Sequence, residues 1–143
     1  MISVQASDFD SAEEYRQLVR EGVTGGIVTF VGLVRDFNNE NKNFELQHYP
    51  GMTEKVLNNI ESAAHQKWNL IASRIIHRVG TLKPGDQIVY VGVSAAHRKD
   101  SFSACEFIID LLKTQAPFWK KEGDAWVDAK TSDQDAANRW LKE

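Results

Sequence analysis

Apolar residues recur along the chain at two spacings, and the alternation between them predicts the elements. Met52, Val56, Leu57, Ile60, Ala63, Ala64 and Trp68 return every three or four positions, which is one face of a helix. Pro50-Gly51 turns the chain into that helix, and Thr53 is available as its cap. Residues 101–114 predict a second strong helix, ended by Pro117. A shorter helix is expected over 11–21 behind Asp8, Asp10 or Ser11, and a terminal one over 133–141. Between them lie strand patterns. Residues 27–35 are β-branched and apolar on both faces, as in a buried strand. Residues 71–79 and 87–93 flank Lys83-Pro84-Gly85-Asp86 and predict a hairpin. Shorter strands are expected over 2–4 and 44–49, and a closing hairpin over 118–122 and 125–130 around Gly123-Asp124. Residues 36–43 and 94–100 read as loops. Helices and strands mix without a Rossmann glycine fingerprint or a P-loop, so the expected class is α+β.

At 143 residues one domain, spanning 1–143, is the expectation. A composition of 42% hydrophobic and 26% charged residues rules out a disordered or fibrous chain. The formal charge of −3 argues against a general nucleic-acid binder, although it leaves room for a local basic pocket. No signal-peptide pattern opens the chain, and no apolar run reaches the ~18 residues that cross a bilayer. A cytoplasmic protein without membrane contact is therefore expected. Cys105 is the single cysteine, so an internal disulfide and a cysteine zinc site are excluded. His48, His65, His77 and His97 show no metal-ligand spacing, so no metal is expected.

Candidate chemistry centres on cations. With Phe102 at 0° on a wheel of about 100° per residue, Cys105 falls at about 300°, Ile109 at about 340°, Leu112 at about 280° and Lys113 at about 20°. That places Lys113 inside the apolar stripe, where it either packs its stem and reaches water or is partly desolvated with a lowered pKa. His97-Arg98 sits between a strand and a helix, where an anion meets helix N-terminal amides; the plain alternative is a solvated basic turn. Arg35 ends its strand with a guanidinium able to fork onto phosphate or carboxylate, or simply to face solvent. Strand alternation sends Lys120 and Lys121 to opposite sides, with Glu122 a possible partner for one of them. His77 alternates with Ile75 and Val79 and reads as a packed, hydrogen-bonded core histidine. Cys105 reads as a small buried hydrophobe. These residues suggest an anion pocket and do not name a reaction.

A resemblance adds more. The stretch from Gly25-Gly26 through Ile27-Val28-Thr29-Phe30-Val31-Gly32-Leu33-Val34-Arg35 resembles the first signature of the large, catalytic subunits of molybdopterin synthase. His48-Tyr49-Pro50-Gly51-Met52, His77-Arg78-Val79-Gly80 and Val91-Gly92-Val93-Ser94-Ala95-Ala96-His97-Arg98 follow in the family's order. Leu112-Lys113, Pro117-Phe118-Trp119-Lys120-Lys121-Glu122 and Trp126-Val127 complete the likeness. It implies an α/β hammerhead with an added antiparallel sheet. It implies a sulfurtransferase that converts cyclic pyranopterin monophosphate (precursor Z) into molybdopterin, without a cofactor. The sulfur would arrive as a thiocarboxylate on the Gly-Gly tail of a small ubiquitin-like subunit, and two copies of the large subunit would form the centre of a heterotetramer. By motif position, the implied catalytic residues are Lys113 and Lys120. The implied substrate contacts are Leu33, Val34, Arg35, His97, Arg98, Lys113, Lys120, Lys121 and Glu122. Leu33 stands where some relatives carry a basic residue, so only a backbone contact is expected there. Two rival readings are a non-enzymatic anion-binding scaffold and an unrelated phosphate hydrolase.

Overall fold

The computed structural model describes residues 1–36, 42–122, 125–127 and 131–141. In chain order these form β1 (Ile2–Gln5), α1 (Ser11–Gln17), β2 (Gly26–Leu33), β3 (Phe44–His48), α2 (Met52–Lys67), β4 (Leu70–Arg78), β5 (Gly80–Leu82), β6 (Gln87–Ala95), α3 (Arg98–Gln115), β7 (Phe118–Glu122), β8 (Ala125–Val127) and α4 (Thr131–Leu141). The expected α+β class is observed, with the strands in two sheets of order β1-β4-β6-β2 and β5-β3-β7-β8. β1 joins β4 in parallel; the other pairs are antiparallel.

Each sheet has its own core. Leu57, Ile60 and Ala64 of α2 and Ala104, Cys105, Ile108 and Leu112 of α3 bury against Ile75, Val91 and Val93 of the first sheet. Truncating a fully buried residue such as Leu57 or Ile108 to Ala costs about 2–5 kcal/mol. A smaller cluster of Val34, Phe44, Leu46 and Leu82 lines the inner face of the second sheet.

Several expectations change. The predicted 71–79/87–93 hairpin forms as β4 and β6, but β5 is inserted between them and leaves for the second sheet. β2 is an edge strand paired with β6 alone among the described residues, not a strand buried on both faces. Its apolar pattern reflects contact with α3 on one side, while Thr29 and Leu33 are exposed. The ladder slips at Gly32/Leu33, so Val34 and Arg35 lie past the strand. The 94–100 loop shrinks to Ala96 and His97, because β6 runs on to Ala95 and α3 starts at Arg98. α1 ends at Gln17 rather than 21; Asp10 caps it by accepting from the amides of Ala12 and Glu13, and Leu18 buries at its close.

Two more corrections concern helix faces. Thr53 is no cap: it is fully buried, and its hydroxyl donates to the Tyr49 carbonyl at 2.9 Å while accepting from the Tyr49 amide. The cap residue is Gly51, whose φ of +84° favours glycine, and the Glu54 carboxylate accepts from the Gly51 amide. On α3 the buried face is Ser101, Ala104, Cys105, Phe107, Ile108, Leu111 and Leu112, and Phe102 is 61% exposed. The apolar stripe is thus centred well away from Phe102, and Lys113, beside Phe102 on the wheel, is on the exposed face. The expected 36–43 loop falls largely, and 128–130 of the closing hairpin wholly, outside the described residues. α4 begins at Thr131, two residues before the expected start. Its Arg139 and Trp140 reach the carboxylates of α3: Arg139 meets Glu106 and Asp110, and the Trp140 indole donates to Asp110 at 2.7 Å.

Candidate active site

The candidate cations gather at the two ends of α3. At its start, β2 and the β6–α3 corner approach closely enough that glycine is required. The Gly25 amide donates to the Ala95 carbonyl at 2.9 Å, and a Cβ at Gly25 would stand 1.9 Å from the Ala96 carbonyl oxygen. A Cβ at Gly26 would stand 3.1 Å from Cα of Arg98, and the Ser101 hydroxyl donates to the Gly26 carbonyl at 3.0 Å. This brace fixes His97 and Arg98, both exposed, at the mouth of the helix. His97 occupies the cap with extended backbone and makes no side-chain capping bond. The first-turn amides therefore remain available to an anion, supported by the helix dipole and the Arg98 guanidinium.

The end of β2 supplies the second group. Leu33 is 53% exposed and Arg35 is exposed, but Val34 turns into the second core at 8% exposure. Both backbone groups of Val34 are used: its amide donates to the Asp86 carbonyl, and its carbonyl accepts from the Gly85 amide. The Lys83–Asp86 turn thus carries Arg35 away from the sheet on a fixed stem.

At the other end of α3, Lys113 lies exposed in the last turn and Pro117 leads into β7. Strand register sorts the residues of β7. Lys120 faces Leu46 of β3, and Phe118 faces His48, so these side chains leave β7 on the face that carries the small core, where Phe118 packs against it and Lys120 remains exposed at its rim. Lys121 faces Glu45 and Trp119 faces Gln47 on the outer face, where Trp119 is 48% exposed and its ring lies 6.4 Å from that of Tyr49. The two adjacent lysines therefore point to opposite sides. Glu122 pairs with Phe44.

Two histidines complete this end. The His77 ring stacks on Phe118 with centroids 4.0 Å apart and planes 25° apart. Its Nδ1 lies 3.0 Å from the Arg78 carbonyl oxygen, which only accepts, so Nδ1 carries the proton and Nε2 presents a lone pair. Burial, outweighing that hydrogen bond, lowers its pKa to about 4, with the Lys120 charge and the neighbouring His48 acting in the same direction. This is the packed, neutral histidine that alternation predicts, and Arg78 points away to the carbonyls of Ala6 and Gln87. His48 was no more than part of a motif in the sequence. Its Nδ1 is buried and has no hydrogen-bond partner.

The arrangement separates the candidate residues. Arg98 and Lys113 are fifteen positions apart on one helix, which sets them about 22 Å apart along the axis. Cys105 lies under the helix, and burial, reinforced by the Glu106 charge, pushes its thiol up to about 12. It is unsuited to act as a nucleophile. Among the described residues no three His, Cys, Asp or Glu side chains group as metal ligands, and no helix is long and apolar enough to cross a membrane. The fold and site define a class: a two-sheet α+β domain with exposed arginine and lysine side chains at the ends of one helix and a small apolar inner face.

The comparisons with known proteins narrow the class. The family model described as MoaE protein matches residues 4–115. The chain is 52% identical over 145 residues to the molybdopterin synthase catalytic subunit of Vibrio cholerae, covering 97% of each chain. Its identity to the catalytic subunit of Pseudomonas aeruginosa is 50%, again over 97% of each chain. Among solved structures, the molybdopterin biosynthesis MoaE protein of Burkholderia ambifaria superposes with a TM-score of 0.86 at 48% identity, covering 99% of this chain and 98% of that one. Molybdopterin synthase of Staphylococcus aureus gives a TM-score of 0.77 at 31% identity, covering 87% and 90%. The chain belongs to the MoaE protein family.

Proposed function

We propose that this chain is the catalytic subunit of a molybdopterin synthase, transferring sulfur to a phosphorylated pterin from a thiocarboxylate on the Gly-Gly tail of a small ubiquitin-like partner. The observation that carries the reading is the placement of Lys120 on the inner face of the second sheet, just past the α3–β7 corner that holds Lys113. Cations at that corner attract the anionic tail and stabilise the oxyanion formed as its sulfur attacks.

The sulfur lone pair of the thiocarboxylate forms a C–S bond to an electrophilic carbon of the pterin side chain, and the displaced electron pair moves to oxygen. The ammonium of Lys113 or Lys120 stabilises that oxygen and supplies its proton. Water then attacks the acyl carbon, the acyl–sulfur bond breaks, and the tail leaves as an ordinary carboxylate with its sulfur on the pterin. A second loaded tail repeats the transfer. His97, Arg98 and Arg35 bind the phosphate. Lys121 lines the approach, contributing less because it faces away from Lys120, and Glu122 is a substrate contact on the family resemblance.

One separation shapes the assembly. Arg98 and Lys113 stand about 22 Å apart on one helix, so a single small anion meets both only when a second copy of the chain brings its own Arg98 to the Lys113 end. This favours a central dimer. The test is turnover of cyclic pyranopterin monophosphate by the purified chain with the thiocarboxylated small subunit. Dithiolene product should form, and unthiolated small subunit should give none; equal product from both refutes sulfur transfer, and pterin bound and released unchanged supports the scaffold reading. Arg98→Ala and Lys113→Ala should each be inactive, and mixing them should restore part of the activity through hybrid dimers. No restoration under conditions of subunit exchange refutes the shared site.

A further inference from the structure

α4 carries none of the candidate site residues. It follows β8 in the chain but does not stay with the second sheet: it crosses back to α3, where Ala137 is 2% exposed within the core of the first sheet. Its last turn closes on one carboxylate. Asp110 of α3, whose side chain is 13% exposed, accepts from the Trp140 indole at 2.7 Å and from the Arg139 guanidinium at 3.0 Å. Arg139 also meets Glu106, one helical turn earlier, and lies 4.8 Å over the Trp140 ring. That ring stands edge to face against Trp68 and Phe107, with centroids 5.8 Å and 5.6 Å away. A largely buried carboxylate with two donors, backed by packed aromatic rings, is a firmer tie than an exposed ion pair.

The segment closed by this tie is the one that carries both lysines. Between Asp110 and Trp140 the chain passes Lys113, turns at Ala116-Pro117 and runs out as β7 and β8 into the second sheet. Lys120 sits inside that hairpin, paired with Leu46 on one side and Val127 on the other. β8 has three residues and is an edge of its sheet among the described residues, and so short a strand holds its place weakly on its own. The hairpin is tethered to the first core at both ends, by α3 on the way out and by α4 on the way back. Lys113 stands three positions beyond Asp110, on a neighbouring spot of the same helix surface. We infer that Asp110 and Trp140 are positioning residues: their hydrogen bond holds the β7–β8 hairpin against α3 and so sets Lys120 relative to Lys113. The inference rests on the sulfur-transfer reading for the task of Lys120, and the tether itself does not depend on that reading.

The experiment places Asp110→Ala, Asp110→Asn and Trp140→Phe in the full chain, each with and without Lys120→Ala, and assays them with the thiocarboxylated small subunit. Asp110→Ala should lower kcat about tenfold and leave KM for the pterin unchanged, because the tether orients a lysine and does not touch the phosphate corner. Asp110→Asn, which keeps an oxygen for the indole, should retain kcat to within about threefold, and Trp140→Phe, which keeps a ring and removes the donor, should lower it by more than that. In the Lys120→Ala background, Asp110→Ala should change the residual rate by less than about twofold, since residues that act through one group do not add. Hydrogen exchange should show amides of 118–122 losing protection in Asp110→Ala while those of β4 and β6 keep theirs. A further tenfold loss on top of Lys120→Ala would overturn the inference, because Asp110 would then act independently of that lysine. Wild-type kcat in all three variants would overturn it, and so would protection lost evenly across both sheets, which marks a general role in the fold. Asp110→Asn no faster than Asp110→Ala would remove Trp140 from the account. Should Asp110→Ala fail to fold, Trp140→Phe carries the same cycle. Loss of the sulfur-transfer reading shows separately, as full turnover in Lys120→Ala with the local change in exchange intact.

Discussion

The two ends of α3 hold their cations by different means. At the start, backbone does the holding: glycines at 25 and 26 let β2 press on Ala96 and Arg98, and Ser101 ties the corner down. The side chains it presents are exposed and the amides point outward, which suits a hydrated, multiply charged group such as phosphate. At the far end, sheet register does the holding. Lys120 is directed by its pairing with Leu46, and the wall beside it is made of Phe118 stacked on a neutral His77. Lys120 itself is exposed at the rim of this wall, so its charge faces solvent beside an apolar surface. One helix thus separates a polar, solvent-facing corner from an apolar wall.

Four experiments would break or sharpen this contrast. The largest effect is expected from Lys120→Ala, which should lower kcat by about 10²–10⁴, while Lys121→Ala on the outer face should change it by less than about tenfold. Equal losses in single-turnover assays would show that register does not sort the two lysines. Next, Gly25→Ala should destabilise the fold by about 3 kcal/mol or more, or prevent folding, since its Cβ would stand 1.9 Å from the Ala96 carbonyl oxygen. Gly85→Ala, with nothing within 4 Å of the added carbon but a φ of +91°, should cost only the backbone strain of about 1 kcal/mol. Urea unfolding of both variants separates the collision from the strain.

The third effect is a pH dependence from the apolar wall. His77 has a folded pKa of about 4, below the usual 6.5, so the folded state favours the neutral ring. Its contribution to stability is complete above about pH 6.5 and declines as pH falls toward about 4, by up to about 1.4 kcal/mol per unit while only the unfolded chain binds the proton. Below about pH 4 both states are protonated and the decline from this group stops. His77→Phe should flatten that part of a stability-versus-pH curve, and an unchanged slope would refute burial of the neutral ring. The smallest effect is Ser101→Ala, which removes the hydroxyl that donates to Gly26 and should cost about 1 kcal/mol. Its KM for the pterin should rise while binding of the small subunit stays unchanged, if the two ends act separately.

Much was legible before folding. Periodicity at Met52–Trp68 and across 101–114 located α2 and α3, because a helix that buries one face must repeat its apolar residues near 3.6. Alternation identified His77 as packed and separated Lys120 from Lys121, since a strand has only two faces. The motif order around Gly25-Gly26, His97-Arg98 and Phe118–Glu122 carried the family resemblance that the comparisons confirm. Other features needed contacts between distant segments. Apolar residues on both faces of β2 could not reveal an edge position, because strand order depends on which partners pair and on no local pattern. The wheel misplaced the stripe of α3 because Phe102 was given weight that α2, α4 and the sheet, which choose the buried face, do not give it.

Composition and local pattern thus determined the class of fold, most elements and the supply of cations on a mildly acidic chain. Tertiary structure decided how those cations are distributed: two ends of one rigid helix, about 22 Å apart, one seated on glycine contacts and the other beside an apolar wall. The reason is physical. A residue's helical or strand preference is set by neighbours a few positions away, whereas its charge environment and hydrogen-bond partners come from segments tens of residues distant. Nothing near position 48 in the chain could show that the Nδ1 of His48 would be buried beside Phe118 with no partner of its own.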